Sequence, residues 1–262
     1  MKAPALVGVI HLPALPTAPL HHLSIDELCE VAARDAQAIA TAGFDAAILE
    51  NFGDAPFERD HVPMATVAVM TRLVLEARRA APQLRFGVNV LRNDPIAACA
   101  VALAADASFV RVNVHVGARV ADQGIIEGNA AATLRARRAM GAERIGIWAD
   151  VDVKHSAPLA PYPLDQEVED VVHRGLAEAV LVTGSGTGKR VDLAKLERVC
   201  RAAGSHPVYV ASGVGPAALG EIRDAGAHGV IVGSCLRADG KAGGPIDVER
   251  AAAFATAWRQ RA

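Results

Sequence analysis

Val182-Thr183-Gly184-Ser185-Gly186-Thr187-Gly188 is followed downstream by Val210-Ala211-Ser212-Gly213-Val214 and by Val230-Ile231-Val232-Gly233-Ser234. Each is a run of mostly β-branched residues ending in a small, hydroxyl- and glycine-rich turn. Glycine lets backbone N–H groups approach an anion closely, and Ser or Thr hydroxyls add donors without bulk. Three such strand ends in the last third of a chain look like an anion cradle. A (β/α)8 TIM barrel places such a cradle after its seventh and eighth strands to hold a phosphate. Gly184, Ser185, Gly186, Thr187, Ser212, Gly213, Gly233 and Ser234 are therefore the expected phosphate-binding residues.

Two familiar nucleotide motifs do not fit the first loop. A Walker loop needs four residues between its outer glycines and a Ser or Thr after the lysine. Here three residues separate Gly184 from Gly188, and Arg190 follows Lys189. The dinucleotide fingerprint also fails, because its third glycine comes one residue early.

Outward from these turns, strand-like segments recur at 5–10, 45–49, 85–90, 109–114, 144–151, 179–182, 208–211 and 230–232. Ala-, Leu- and Arg-rich segments with helical spacing lie between them. Ser24 and Glu27 form a capping box before Ile25, Leu28, Ala32 and Ile39. Asp192 and Asp247 are placed to cap later helices, and Pro216 suits a first helical turn. An internal echo supports the alternation: Ala42-Gly43-Phe44-Asp45-Ala46-Ala47-Ile48-Leu49 parallels Ala225-Gly226-Ala227-His228-Gly229-Val230-Ile231-Val232. Eight strands alternating with helices favour a closed (β/α)8 barrel over a doubly wound sheet, as one domain over residues 1–262.

With 262 residues, 52% of them hydrophobic, the chain is long enough for a large core and close to the size of one barrel. A formal charge of −2 and no basic tail give no sign of nucleic-acid binding. Cys29, Cys99, Cys200 and Cys235 have no paired spacing, so they suit buried thiols in a reducing compartment rather than a disulfide frame or zinc site. The longest apolar run, 96–105, is far short of the ~20 residues of a membrane span. The expected setting is cytoplasmic, with no membrane span and a homo-oligomeric state.

The C-terminal strand ends are unusually polar for a parallel barrel. Strand one ends at His11, strand two at Glu50 and Asn51, and strand three at Asn89, Arg92, Asn93 and Asp94. Arg111, Asn113 and His115 share one face at period two, as do Asp150, Asp152 and Lys154. Glu50, Asp150, Lys154 and His115 are the candidate catalytic groups, with Asp150 or Glu50 as base and Lys154 as acid, electrophile or Schiff-base nucleophile. Asn89, Asn113 and His115 would orient hydroxyls. His11, Asn51, Asn89, Arg92, Asn113, Asp122, Gln123 and Asp152 are the expected substrate-binding residues. Structural readings stand beside these: Arg111 suits an interior ion pair with Asp150 or Glu50, and Asp152 suits a pair with Lys154. No cofactor is required. A divalent metal held by Glu50, Asp150 and His11 is compatible with the residue types but is not specified by their spacing. The segment from Gly117 to Gly128 has the length of a rim lid or clamp, with Ile125 and Ile126 as its cover or as a subunit contact.

Gly8-Val9-Ile10-His11-Leu12-Pro13-Ala14-Leu15-Pro16 and Glu50-Asn51-Phe52-Gly53-Asp54-Ala55-Pro56-Phe57 resemble motifs of the BtpA/SgcQ family. Gly87-Val88-Asn89-Val90-Leu91-Arg92-Asn93-Asp94, Ala149-Asp150-Val151-Asp152-Val153-Lys154-His155, the 122–128 segment and the 182–188 loop complete the resemblance over nearly the whole chain. Gly186 stands where alanine is common in that family, and Arg237 where lysine is frequent. The resemblance implies a barrel similar to the ribulose-phosphate-binding group, with no settled reaction. One branch is linked to photosystem I biogenesis and another lies beside sugar-phosphate genes. Two expectations follow: an enzyme of isomerase, epimerase, lyase or hydrolase type acting on a small phosphorylated metabolite, or a non-catalytic assembly factor.

Overall fold

The computed structural model describes residues 5–184 and 192–260. The chain runs β1 (Leu6–His11), α1 (Ile25–Thr41), β2 (Ala46–Glu50), α2 (Met64–Ala80), β3 (Arg85–Asn89), α3 (Pro95–Ala104) and β4 (Phe109–Val112). It continues through β5 (Ala118–Ala121), β6 (Gly124–Glu127), α4 (Ala130–Ala139), β7 (Gly146–Val151), β8 (Ser156–Pro158) and α5 (Leu164–Glu169). The last third is β9 (Ala179–Val182), α6 (Leu193–Ala203), β10 (Val208–Val210), α7 (Leu219–Asp224), β11 (Gly229–Val232) and α8 (Val248–Arg259).

β1, β2, β3, β4, β7, β9, β10 and β11 close into a parallel barrel in that order, with β11 returning to β1. All eight expected strands are present, and the expected (β/α)8 barrel is the observed fold. The helix starts follow their caps. The Ser24–Glu27 capping box is formed, and Asp192 and Asp247 accept from the first-turn amides of α6 and α8. The four cysteines are free thiols.

Strand alternation splits the apolar residues into two layers. Ala47, Leu49, Val88, Val110 and Ile147 face outward against the helices. Val7, Val9, Ala46, Ile48, Phe109, Trp148, Leu181, Tyr209 and Ile231 fill the barrel interior. There Trp148 stacks on Phe109 at 3.9 Å and on Tyr209 at 4.4 Å between ring centroids. This aromatic plug depends on Gly87, where an added Cβ would lie 2.2 Å from the Phe109 ring. Gly87→Ala is expected to destabilise the fold by about 1–3 kcal/mol through overpacking, read from the denaturant midpoint at unchanged slope.

The segment from 117 to 128 is not a loop. β5 and β6 form a hairpin, and β8 pairs antiparallel with β5 to make a three-stranded sheet beside the rim. Ile126 packs with Val114 and Val153 beneath this sheet, while Ile125 lies on the exposed side.

Candidate functional site

The interior row of each strand turns polar at its C-terminal end. On β1 the row Val7, Val9 reaches His11; on β2 the row Ala46, Ile48 reaches Glu50. Asn89 continues β3 beyond Gly87, Arg111 continues β4 beyond Phe109, and Asp150 continues β7 beyond Trp148. Period two thus carries these side chains into one place above the aromatic plug.

His11, Glu50, Asn89 and Arg111 reach a cavity of about 260 Å³, whose wall also includes Arg92, Asn113 and Lys154, while Asp150 lies behind that wall. The Ser212–Gly213 and Gly233–Ser234 turns line the same cavity. Ser185, Gly186 and Thr187 lie outside the described residues. Gly184 lines a neighbouring hollow with Asp152, Thr183 and Lys195, on the other side of Lys154.

Arg111 is the hub of the buried polar network. Its Nε and Nη2 donate to the two oxygens of Asp150 at 2.9 and 3.0 Å, and its Nη1 donates to Glu50 Oε1 at 3.1 Å. Asn89 also donates to Glu50 Oε1 at 3.0 Å, and Asn113 donates to Asp150 Oδ2 at 2.7 Å. Burial pushes the Glu50 carboxyl up, but Arg111, the Asn89 bond and Lys154 outweigh it and hold its pKa below the usual range. Burial opposes the charge of Arg111 too, yet Asp150 and Glu50 raise its pKa above the ordinary value.

Lys154 enters from the segment after β7, where its backbone N–H donates to Thr183 Oγ1 at 3.1 Å. Burial and the Arg111 and Arg92 charges lower its pKa, against the opposing pull of Glu50 and Asp150. Arg92 donates to the Lys154 carbonyl at 3.0 Å. Its Nε is buried without a partner among the described residues, as are Asn89 Oδ1 and Asn113 Oδ1.

His11 is held neutral. Burial, then the Arg237 charge, lowers its pKa to about 3, although Glu50 pulls the other way. Between that value and an unfolded value near 6.5 the unfolded chain carries the extra proton. His11 therefore makes stability rise with pH across that window. We expect its ring nitrogen chemical shifts to stay constant from pH 8 to pH 5; a titration midpoint near 6.5 would contradict this burial. Arg237 stands behind the Gly233–Ser234 turn, donating to the Gly233, Gly243, Gly244 and Val9 carbonyls. Among the described residues it has no carboxylate partner in an ion pair; burial opposes its charge, while Asp35, Glu50 and Asp239 favour it from farther away.

Several expected site residues lie elsewhere. β4 ends at Val112, and His115 instead bonds the Gly175 carbonyl at 2.8 Å, away from the cavity. Asp152 has φ +44° just past the end of β7, which takes it off the period-two face. It pairs with Arg119 at 2.6 Å and Lys195 at 2.8 Å, not with Lys154. Asn51 bonds Asp54 and both backbone groups of Leu91, fixing two loops behind the wall. Asp122 and Gln123 sit at the tip of the β5–β6 hairpin, bonded to each other and not lining the cavity. Asp150 points inward, but Arg111 and Asn113 occupy both its oxygens and its side chain is fully buried. The metal set of Glu50, Asp150 and His11 does not fit, because Arg111 bridges the two carboxylates. Among the described residues no three His, Cys, Asp or Glu side chains gather as a metal site. Phe52 and Phe57 line the cavity and were not singled out. Their signal was two aromatics close behind Glu50 in a chain with 4% aromatic residues.

The sequence model of the BtpA family matches residues 2–260. A photosystem I biogenesis protein BtpA of Synechocystis sp. is 41% identical over 257 residues, 97% of this chain and 88% of that one. The chain belongs to the BtpA family. An uncharacterized protein of Methanocaldococcus jannaschii is 38% identical to this BtpA-family chain, over 95% of its length and 93% of the relative's. In fold, the BtpA-family barrel is similar to thiamine phosphate pyrophosphorylase from Pyrococcus furiosus. The TM-score is 0.59 at 13% identity, with 98% of this chain and 96% of that one covered. No described helix is long and apolar enough to cross a membrane.

Proposed function

We propose that this BtpA-family chain is an enzyme that acts on a small phosphorylated metabolite, a sugar phosphate or nucleoside phosphate, by proton transfer. The observation that carries this reading is the shared cavity. Hydroxyl- and glycine-rich turns line one part of it, and an ionised carboxylate and a lysine line another. The buried Arg237 guanidinium behind the Gly233–Ser234 turn favours a phosphate there. Glu50 is the base: its carboxylate lines the cavity and stays charged at neutral pH. Lys154 is the acid or electrophile opposite, and its lowered pKa also suits an amine nucleophile. Asp150 acts through Arg111 and Asn113, holding both in place. Isomerisation, epimerisation, aldol cleavage and hydrolysis at an anomeric carbon all use such a set.

The name of the Synechocystis relative supports a second reading, an assembly factor that keeps the barrel without turnover. A cavity wall that carries the Ser212–Gly213 and Gly233–Ser234 turns speaks for a ligand site in either case. The test is a thermal-shift panel of phosphorylated sugars, phosphorylated nucleosides and inorganic phosphate. A ligand present at a hundred times its dissociation constant adds about 2.7 kcal/mol to stability. The proposal expects a shift of that size from at least one phosphate ester. No shift from any of them at millimolar concentration would sink it.

A further inference from the structure

His11 ends β1 at the cavity wall, with β11 and its Gly233–Ser234 turn on one side and Glu50 of β2 on the other. Its two ring nitrogens face different surroundings. Nδ1 accepts from the Gly243 backbone N–H at 3.4 Å. A backbone amide only donates, so Nδ1 bears no hydrogen and the neutral ring carries its proton on Nε2. Gly243 is itself held in place, because Arg237 donates to its carbonyl and to that of Gly233. Burial, then the Arg237 charge, keeps the ring neutral; Lys154 and Arg111 act the same way, and Glu50 pulls against them.

The Cε1–Nε2 edge of the ring lies against the turn. A Cβ added at Gly233 would come within 2.7 Å of His11 Cε1 and 3.3 Å of its Nε2, so glycine there makes room for this edge. Phe52 packs against the ring at 4.6 Å between centroids. Among the described residues Nε2 has no hydrogen-bond partner. It is not one of the buried atoms sealed from water, and His11 as a whole is only partly buried where it lines the cavity. An open N–H donor beside a hydroxyl- and glycine-rich turn is completed by an anion's oxygen, and a bond to a charged acceptor is the stronger kind. We infer that His11 is a phosphate ligand, an uncharged donor whose Nε2–H bonds an oxygen of the anion seated at the Gly233–Ser234 turn. Anion binding then requires no proton uptake by the histidine. The inference rests on the phosphate-ester reading above and adds a named side chain to its anion subsite.

The experiment is long-range proton–nitrogen NMR of the full chain during titration with sulfate and with inorganic phosphate, with His11 assigned through its ring contact with Phe52. The free protein should show the Nε2–H tautomer, and sulfate should shift Nε2 while leaving Nδ1 in place. Sulfate stays a dianion between about pH 5 and pH 8, so its affinity reports on the protein's charges alone. Measured by calorimetry, that affinity should vary less than about threefold over this range, whereas a cationic imidazole would release the anion as pH rises through about 6.5. His11→Leu should weaken sulfate binding about tenfold or more, the scale of one hydrogen bond to a charged group, and His11→Gln, which keeps an amide donor, should lose less. The spectra of the unmodified chain decide the matter alone if either variant fails to fold. An Nδ1–H tautomer, an Nε2 signal unmoved by bound sulfate, or undiminished affinity in folded His11→Leu would overturn the inference and leave the phosphate-ester reading intact. Absence of sulfate and phosphate binding at tens of millimolar would also overturn it, and the thermal-shift panel then decides the phosphate-ester reading separately.

Discussion

Arg111→Met is expected to lower the free energy of unfolding by about 3–5 kcal/mol, the scale seen when one partner of a buried ion pair is removed. The guanidinium bridges Glu50 and Asp150 inside the barrel, and its side chain is only 4% exposed. Without it, two buried carboxylates face each other with one amide donor apiece. A variant that also carries Glu50→Gln and Asp150→Asn removes the uncompensated charge and should recover most of the loss. The pH dependence follows from Glu50. Its folded pKa lies below the unfolded one, so its contribution is fully present above about pH 4.5 and fades on acidification as pH falls through the folded value. In Arg111→Met, burial dominates and the carboxyl pKa rises above the unfolded value. The folded variant then takes up a proton more readily than its unfolded chain, so its deficit should shrink as pH falls from 7 to 5. Denaturant unfolding at several pH values checks both statements. A loss under about 1 kcal/mol, the range of exposed pairs, would mean that the network is solvated and not buried.

Lys154→Met is expected to reduce turnover by at least ~100-fold with the fold retained, the scale of a missing positioned acid or base. Methionine matches the lysine side chain as far as Cε, with sulfur in place of one methylene, and lacks the amine. A structural pair of Lys154 with Asp152 does not form, since Asp152 is held by Arg119 and Lys195. The lowered pKa of Lys154 should also appear as a basic limb in the pH–rate profile below the usual lysine range. Near-normal turnover in the variant would remove Lys154 from the chemistry and leave it as a wall residue.

The barrel was legible because its signals are local. Runs of Val and Ile with helical spacing between them, and caps such as Ser24, Asp192 and Asp247, are each read within a few residues. Extending period two to the strand ends brings His11, Glu50, Asn89 and Asn113 to the cavity wall, while Asp150 points inward but stays behind that wall under Arg111 and Asn113. The same extension failed where the strand stops early. β4 ends three residues before His115, and the backbone turns left-handed at Asp152, so neither side chain keeps the inward face. The small sheet was missed because its strands are three or four residues long. β8 also pairs with a partner more than 30 residues away, as Arg119 lies opposite Pro158. Arg111 was seen as an ion-pair partner of Glu50 or Asp150. That it bridges both could be settled only in three dimensions, because the three residues come from three separate strands.

The most direct test is a crystal structure of the full chain grown with the phosphate ester that gives the largest thermal shift. The account predicts a phosphate within about 3 Å hydrogen-bond reach of the Ser212–Gly213 and Gly233–Ser234 turns. The carbon chain should run toward Glu50, Lys154, Asn89 and Asn113. A phosphate bound outside this cavity, or a cavity filled by the protein's own side chains in that crystal, would contradict it.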